Sequence, residues 1–294
     1  MKKVRWFALG LGLLLFSACM PKEIAPPLPP PPPAKIAVVL GAGASRGFAH
    51  VGVLKVLETQ KVPIHLIVGT SAGSFVGSLY AYGYDAFELQ KMALALQRDD
   101  VADLTIPDNG FVRGERLENF VNRAIRQTTI EKLKTPFRAV ATNLQTGEET
   151  VFATGNTGKA VRASCSIPGV FQPVRIGDSA FVDGGVVSPV AVDAARKTGA
   201  DVVIAVDISA GVSGLLPQGI VDTLLQTIGV MYASIAAVQL KNADVVIRPQ
   251  VGRIGAGDFD KRHEAILEGE KAAAQAMPQI RKIIDVLKRE GRLP

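Results

Sequence analysis

The sequence predicts an α/β fold, and three observations carry that prediction. Two apolar runs of strand length, residues 35–41 (KIAVVLG) and 65–68 (HLIV), each pass through a glycine-bearing turn into a segment with helical spacing. Two more buried-strand runs, residues 201–207 (DVVIAVD) and 244–248 (DVVIR), flank a long helical stretch. The composition, 48% hydrophobic against 20% charged over 294 residues, supplies a sizeable core and excludes bulk disorder.

The chain opens with residues 1–6, positively charged, followed by twelve apolar residues, 7–18. That run is too short to span a bilayer stably and suits the centre of a secretory signal peptide. Residues 15–19 (LFSAC) resemble a bacterial lipobox, with Phe16 where Leu is commoner; Cys19 would carry the lipid. The alternatives are an ordinary signal peptide cut near Ala18, or a simple membrane anchor. Met20 rather than Asp after Cys19 resembles Gram-negative lipoproteins of the outer membrane, and implies the periplasmic face of that membrane in a bacterial cell envelope. Residues 21–34 contain five consecutive prolines, 29–33, and predict an extended spacer. The expected organisation is a signal peptide over 1–18, a lipid-anchored tether over 19–34 and one folded domain over 35–294.

Removing Lys2, Lys3 and Arg5 with the signal lowers the net charge from +6 to +3, with the other cations scattered among acids. That is no nucleic-acid footprint. Of the two cysteines, Cys19 belongs to the signal, which leaves Cys165 alone; neither a disulfide framework nor a cysteine zinc site can be built.

The first turn, Gly41-Ala42-Gly43-Ala44-Ser45-Arg46-Gly47, precedes a helix over residues 48–59 and forms an anion site from backbone N–H groups. Its Gly-x-Gly-x-x-x-Gly spacing is one residue longer than the dinucleotide fingerprint. The second strand, moreover, ends in Gly69-Thr70-Ser71 where an acid should meet the ribose. An oxyanion hole is the better reading. The second turn, Gly69-Thr70-Ser71-Ala72-Gly73, stands between strand and helix as a nucleophile elbow does, which nominates Ser71.

Further along, residues 86–97 and 114–126 read as helices, with a loop at 105–112 that is a candidate lid. Residues 137–143 and 149–153 read as strands joined by a turn, and 159–164 as helix. Residues 167–174 hold two prolines and read as a rigid loop without chemistry of its own. In residues 181–187 (FVDGGVV) Asp183 ends a strand; on this segment alone an Asp-Gly hairpin turn is the favoured reading. Residues 191–197 read as helix. Residues 221–241 are long and apolar enough to raise a membrane span, but polar interruptions and periodicity predict a core helix. Residues 261–287 predict a charged helix.

A serine nucleophile needs a base. His50 reads as a packed helix residue, and His65 lies at the wrong end of its strand. His263 would give the order Ser, Asp, His of α/β-hydrolases, yet it opens a charged helix rather than following a last strand. The remaining arrangement is a dyad of Ser71 with Asp183.

Four segments together resemble the bacterial patatin-like phospholipases: the glycine turn with Arg46 before Gly47, the elbow at Ser71, Asp183-Gly184-Gly185, and residues 163–168 (ASCSIP) ahead of the aspartate. The resemblance implies a three-layer α/β/α sandwich around a central, mostly parallel sheet, and a Ser71–Asp183 dyad needing no metal or cofactor. It implies hydrolysis of acyl esters of membrane lipids, with Gly41, Ala42, Gly43 and Ala44 as oxyanion hole. Arg46 would fix the turn or draw a substrate phosphate, and Gly47, Gly69, Gly73, Gly184 and Gly185 are the motif glycines. Ala42 and Ala44 depart from the glycines common there. The alternative is a regulatory or binding lipoprotein that keeps the fold without turnover.

Overall fold

The computed structural model describes residues 31–105, 109–209, 216–217 and 219–294. The predicted signal segment, Cys19 and the tether as far as residue 30 lie outside the described residues, as do 106–108 of the candidate lid. The compact unit runs from Pro32 to Pro294. Ala34 is already buried and donates its N–H to Arg292 O.

The order is β1 (Ile36–Leu40), α1 (Phe48–Thr59), β2 (Leu66–Thr70), α2 (Ala72–Tyr82), α3 (Ala86–Ala95), α4 (Arg98–Val101) and α5 (Glu115–Ala124). Then follow β3 (Phe137–Asn143), β4 (Glu149–Phe152), α6 (Thr157–Ser164), β5 (Val174–Ile176) and β6 (Ser179–Asp183). The chain closes with α7 (Val192–Lys197), β7 (Val202–Val206), α8 (Ile220–Gln239), β8 (Val245–Ile247) and α9 (Arg262–Arg289).

Among the described residues the strands form one sheet in the order β5-β6-β3-β2-β1-β7-β8, with β4 also on β3. The run from β3 to β8 is parallel, while β4, β5 and β6 are antiparallel. β1 is buried on both faces, and alternate side chains serve two cores. Ile36, Val38 and Leu40 pack beneath α1, α2 and α9; Ala37 and Val39 pack against α7 and the end of α8. This is the three-layer α/β/α sandwich expected of the chain.

Local chemistry explains several boundaries. Asp85 and Glu88 close a capping box at the start of α3. Asn156 caps α6 through Lys159 N. The predicted helix over 86–97 ends at Ala95, because Leu96 turns extended and a separate short helix, α4, follows. The buried Arg262 guanidinium donates to the carbonyls of Ala93, Leu94 and Leu96, pinning the start of α9 to the end of α3.

Two expectations are corrected. The Asp-Gly hairpin does not form: β6 ends at Asp183 and the chain enters a 3-10 turn, Gly184–Val186, with the Asp183 carboxylate accepting from Gly185 N. The helix over 221–241 is real but is not a core helix, since among the described side chains of α8 only Tyr232 and Ala236 are buried. Val230, Met231 and Val238 face out. α8 is long and apolar enough, by length and composition, to cross a membrane. Its apolar residues lie on every side, and near its end Ala236 joins the core cluster of Ala37 and Val39.

Candidate active site

The site is placed by the register of β3. On one edge of that strand β2 pairs in parallel, ending with Thr70 opposite Val140. β6 runs in antiparallel along the same edge and ends with Asp183 opposite Ala141. β4 must occupy the other edge, because Ala139 pairs with both Gly69 and Phe152, and Ala141 with both Asp183 and Thr150. The C-terminal ends of β2 and β6 therefore meet end-on. Ser71, the next residue after β2, arrives where Asp183 stops, and its Oγ donates to Asp183 Oδ2 at 2.6 Å.

Ser71 stands in strained backbone, with φ 54° and ψ −125°, just before α2. The motif glycines are required by close approach. A Cβ on Gly69 would lie 2.5 Å from Gly73 O, and one on Gly73 would drive into Leu40's carbonyl. Ser71 N–H donates to Ser164 Oγ at 2.9 Å, and Ser164 in turn donates to Val140 O at 2.5 Å. Ser74 Oγ ties back to Ser71 O at 2.7 Å.

Asp183 is fully buried. Its Oδ1 accepts from Gly185 N at 2.7 Å, its N–H donates to Ser166 O, and its carbonyl accepts from Thr142 Oγ1. Burial raises its pKa from 3.8 to about 6, against the lowering effect first of the Ser71 hydroxyl and then of Gly185 N–H. A carboxylate so raised is a stronger base than an exposed one and is still ionised at neutral pH.

The glycine turn lies over the elbow, with Gly47 close enough that an added Cβ would meet Ala72 Cβ at 2.6 Å. Of its four predicted donors, two are spent. Gly41 N–H donates to Val206 O and Ala42 N–H to Pro189 O, which anchors the turn to β7 and the chain before α7. Among the described residues Gly43 and Ala44 N–H meet no acceptor, and neither do Ala72 and Gly73 N–H at the head of α2. Ala44 and Ala72 line one cavity with Ser71. Ala44 also takes φ 51°, which explains why glycine suits that position.

Arg46 is bonded at the base of the turn. Nε donates to Ile254 O at 2.8 Å, and Ser45 bonds Gly255 O and Ala256 O beside it, so the turn is tied to residues 254–256. Burial pushes the Arg46 pKa down, and Asp258 pulls it partly back.

Among the described residues no histidine is hydrogen-bonded to Ser71. His263 is exposed at the start of α9. His65 Nδ1 accepts from Ile36 N, at the opposite end of the sheet from Ser71. His50 is buried, and burial lowers its pKa to about 4, so the ring is neutral near pH 7. Its Nε2 must then carry hydrogen, because its 2.8 Å partner, Gly41 O, can only accept.

The cavity that Ser71 adjoins measures about 1300 Å³, larger than most small-molecule sites. Its walls are mostly apolar, among them Phe75, Leu79, Met92, Phe120, Val170 and Phe171. From residues 167–174, read as a rigid loop without chemistry of its own, Ile167, Val170 and Phe171 line the cavity. Their backbone also holds the candidate lid, through Phe111 N and Val112 N bonded to Val170 O. Ser164 and Thr142 were not singled out by the sequence. Ser164 lies inside the 163–168 segment already noted, but Thr142 carries no local signal.

The patatin-like phospholipase family profile matches residues 38–196, more than half of the chain and a stretch containing both Ser71 and Asp183. The chain belongs to that family. It is 30% identical over 292 aligned residues to a protein called lysophospholipase NTE1 from Coccidioides immitis, covering 88% of this chain and 18% of that protein. It is 32% identical over 278 residues to an uncharacterised NTE family protein of Mycobacterium bovis, covering 83% and 46%. The chain thus spans less than half the length of either relative. Among solved structures, VipD from Legionella pneumophila shares the fold, with a TM-score of 0.60 at 14% identity over 84% of this chain and 67% of that one.

Proposed function

We propose that the chain is a serine hydrolase of lipid acyl esters, of phospholipase A or lysophospholipase type, working through a Ser71–Asp183 dyad. The observation that carries this reading is the 2.6 Å bond from Ser71 Oγ to a buried carboxylate beside a large apolar cavity. Ser71 Oγ bonds to the acyl carbon as its proton passes to Asp183 Oδ2. The carbonyl electrons move to oxygen, which the free N–H groups of Gly43 and Ala44, with Ala72 at the head of α2, stabilise. Collapse of that intermediate expels the alcohol, which takes the proton from Asp183 and leaves an acyl-Ser71 ester. Water, deprotonated by Asp183, then releases the fatty acid and restores Ser71. The acyl chain lies along the apolar walls.

The test is fatty-acid release by wild type and Ser71→Ala from phosphatidylcholine vesicles and from lysophosphatidylcholine. We expect release in at least one arm and a loss of at least about 10³-fold on substitution. Equal rates for the two proteins would remove the enzyme reading in favour of a binding lipoprotein.

The same reading puts the substrate in the membrane that holds the protein. Cleavage of the signal before Cys19 and acylation there would anchor the chain to the periplasmic face of the outer membrane. A proline-rich tether would then span on the order of 40 Å. Labelled fatty acid should be incorporated into wild type and absent from Cys19→Ala; incorporation into both would remove the anchor.

A further inference from the structure

One buried polar group beside the dyad has no part in the mechanism above. Tyr232 is on the inner face of α8, 7% exposed, and among the described residues its hydroxyl has no hydrogen-bond partner. Leaving a buried hydroxyl unpaired costs free energy that a different side chain would avoid. The ring lies against Gly185: a Cβ added there would collide with Cε2 and Cζ and would come within 2.8 Å of the hydroxyl oxygen. Gly185 N–H is the donor to Asp183 Oδ1. The phenol therefore rests over the peptide that holds the carboxylate, and position 185 has room for it only as glycine.

The groups that act on Asp183 are few. Ser71 faces it from the elbow, Gly185 from the following turn and Tyr232 from α8, and the carboxylate in turn acts on Cys165 from the end of α6. β3 supplies Thr142, which bonds only the backbone carbonyl. No cation is among these groups. At rest the ionised carboxylate depends on two donors, Ser71 Oγ and Gly185 N–H. In the acyl-enzyme Ser71 Oγ carries no proton, and one of the two is lost.

We infer that Tyr232 is a positioning residue for Asp183, whose hydroxyl helps to keep the base ionised and aimed at rest and takes the place of the Ser71 donor while Ser71 is acylated. This rests on the Ser71–Asp183 reading. Although the hydroxyl lies outside strict hydrogen-bond geometry at rest, it is near enough to act on the carboxylate as a donor and lowers the Asp183 pKa. Burial first, and the carboxylate second, push Tyr232's own pKa well above 10. It is thus a donor that keeps its proton, not an acid that gives it up. α8 is suited to the movement, because little of it is buried.

The test is the rate at which a fluorophosphonate labels Ser71 between pH 4.5 and 9 in wild type, Tyr232→Phe and Tyr232→Leu. This probe needs no lipid, so it reads the dyad whatever the natural ester. Wild type should follow an acid limb near pH 6. Tyr232→Phe, which keeps the ring, should move that limb up by about one pH unit, because it removes the hydroxyl that lowers the Asp183 pKa. Labelling would then be about tenfold slower at pH 5 and nearly unchanged at pH 8.5. Tyr232→Leu should share the displaced limb and add a lower melting temperature. A Tyr232→Phe profile that overlays wild type, or that falls by one factor at every pH, overturns the inference. Absence of label from wild type would instead sink the dyad, and this inference with it.

Discussion

On one face of the sheet α1 crosses α9 so closely that Gly52 and Gly269 each sit against the other helix's backbone. On the other face α8 buries Tyr232 and Ala236 and turns Val230, Met231 and Val238 outward. The first layer fixes β1, and β1 receives the elbow, where Gly73 presses on Leu40's carbonyl. Ser71 is thus bolted to a closely packed layer. The carboxylate lies at the border of the loosely held layer, under Tyr232. Strain at Ser71 needs a rigid support to persist. A base that must take and return a proton benefits from a neighbour able to move.

The same substitution should break one layer and improve the other. Gly52→Ala would place a methyl group on the Ile266 carbonyl, so α1 and α9 must separate. Chemical unfolding should register a loss of at least about 3 kcal/mol, the upper range of overpacking. A loss below about 1 kcal/mol would mean that the α1–α9 layer is not the rigid one.

Asp183→Asn probes the border. The Asp183 pKa is higher folded, at about 6, than its ordinary 3.8, so the folded state binds this proton more tightly. The stability contributed by that proton is complete below about pH 4 and is lost as pH rises through 6. Asparagine carries no charge, so the variant should be more stable than wild type above pH 7, by on the order of 2–3 kcal/mol. The gain should vanish near pH 4. Urea unfolding at pH 4.5 and 8 measures it, and an equal difference at both pH values would contradict the buried-charge account.

In α8, Gly229 has nothing within 4 Å of an added Cβ. Gly229→Ala should therefore stabilise by about 0.5–1 kcal/mol, by reducing the freedom of the unfolded chain. Destabilisation there would show that α8 is packed more tightly than its exposure indicates.

The contrast between layers also marks what could be read from sequence. β1 and α1 are legible because apolar period, glycine turn and helix spacing are local properties. Ser71 is legible because an elbow is a local turn, and Asp183 because its motif accompanies the others. The end-on meeting of β2 and β6 on one edge of β3 is a matter of register between segments about a hundred residues apart, and no local pattern encodes it. For the same reason the glycine turn offered four donors. Only the positions of Val206 and Pro189 reveal that Gly41 and Ala42 are already bonded. α8 is not the core helix that its periodicity predicts, because periodicity tells which residues are apolar, not whether another layer covers them. Tyr232 gave no signal at all: its meaning comes from Gly185, which is adjacent only in space.

The central claim is that Asp183, and no histidine, activates Ser71. The most direct measurement is the rate of fluorophosphonate labelling at the peptide carrying Ser71, at pH 7.5, for wild type, Asp183→Asn and His263→Ala. The dyad predicts equal labelling of wild type and His263→Ala, with Asp183→Asn slower by at least about 100-fold. Labelling of Asp183→Asn near the wild-type rate, or collapse in His263→Ala, would contradict it.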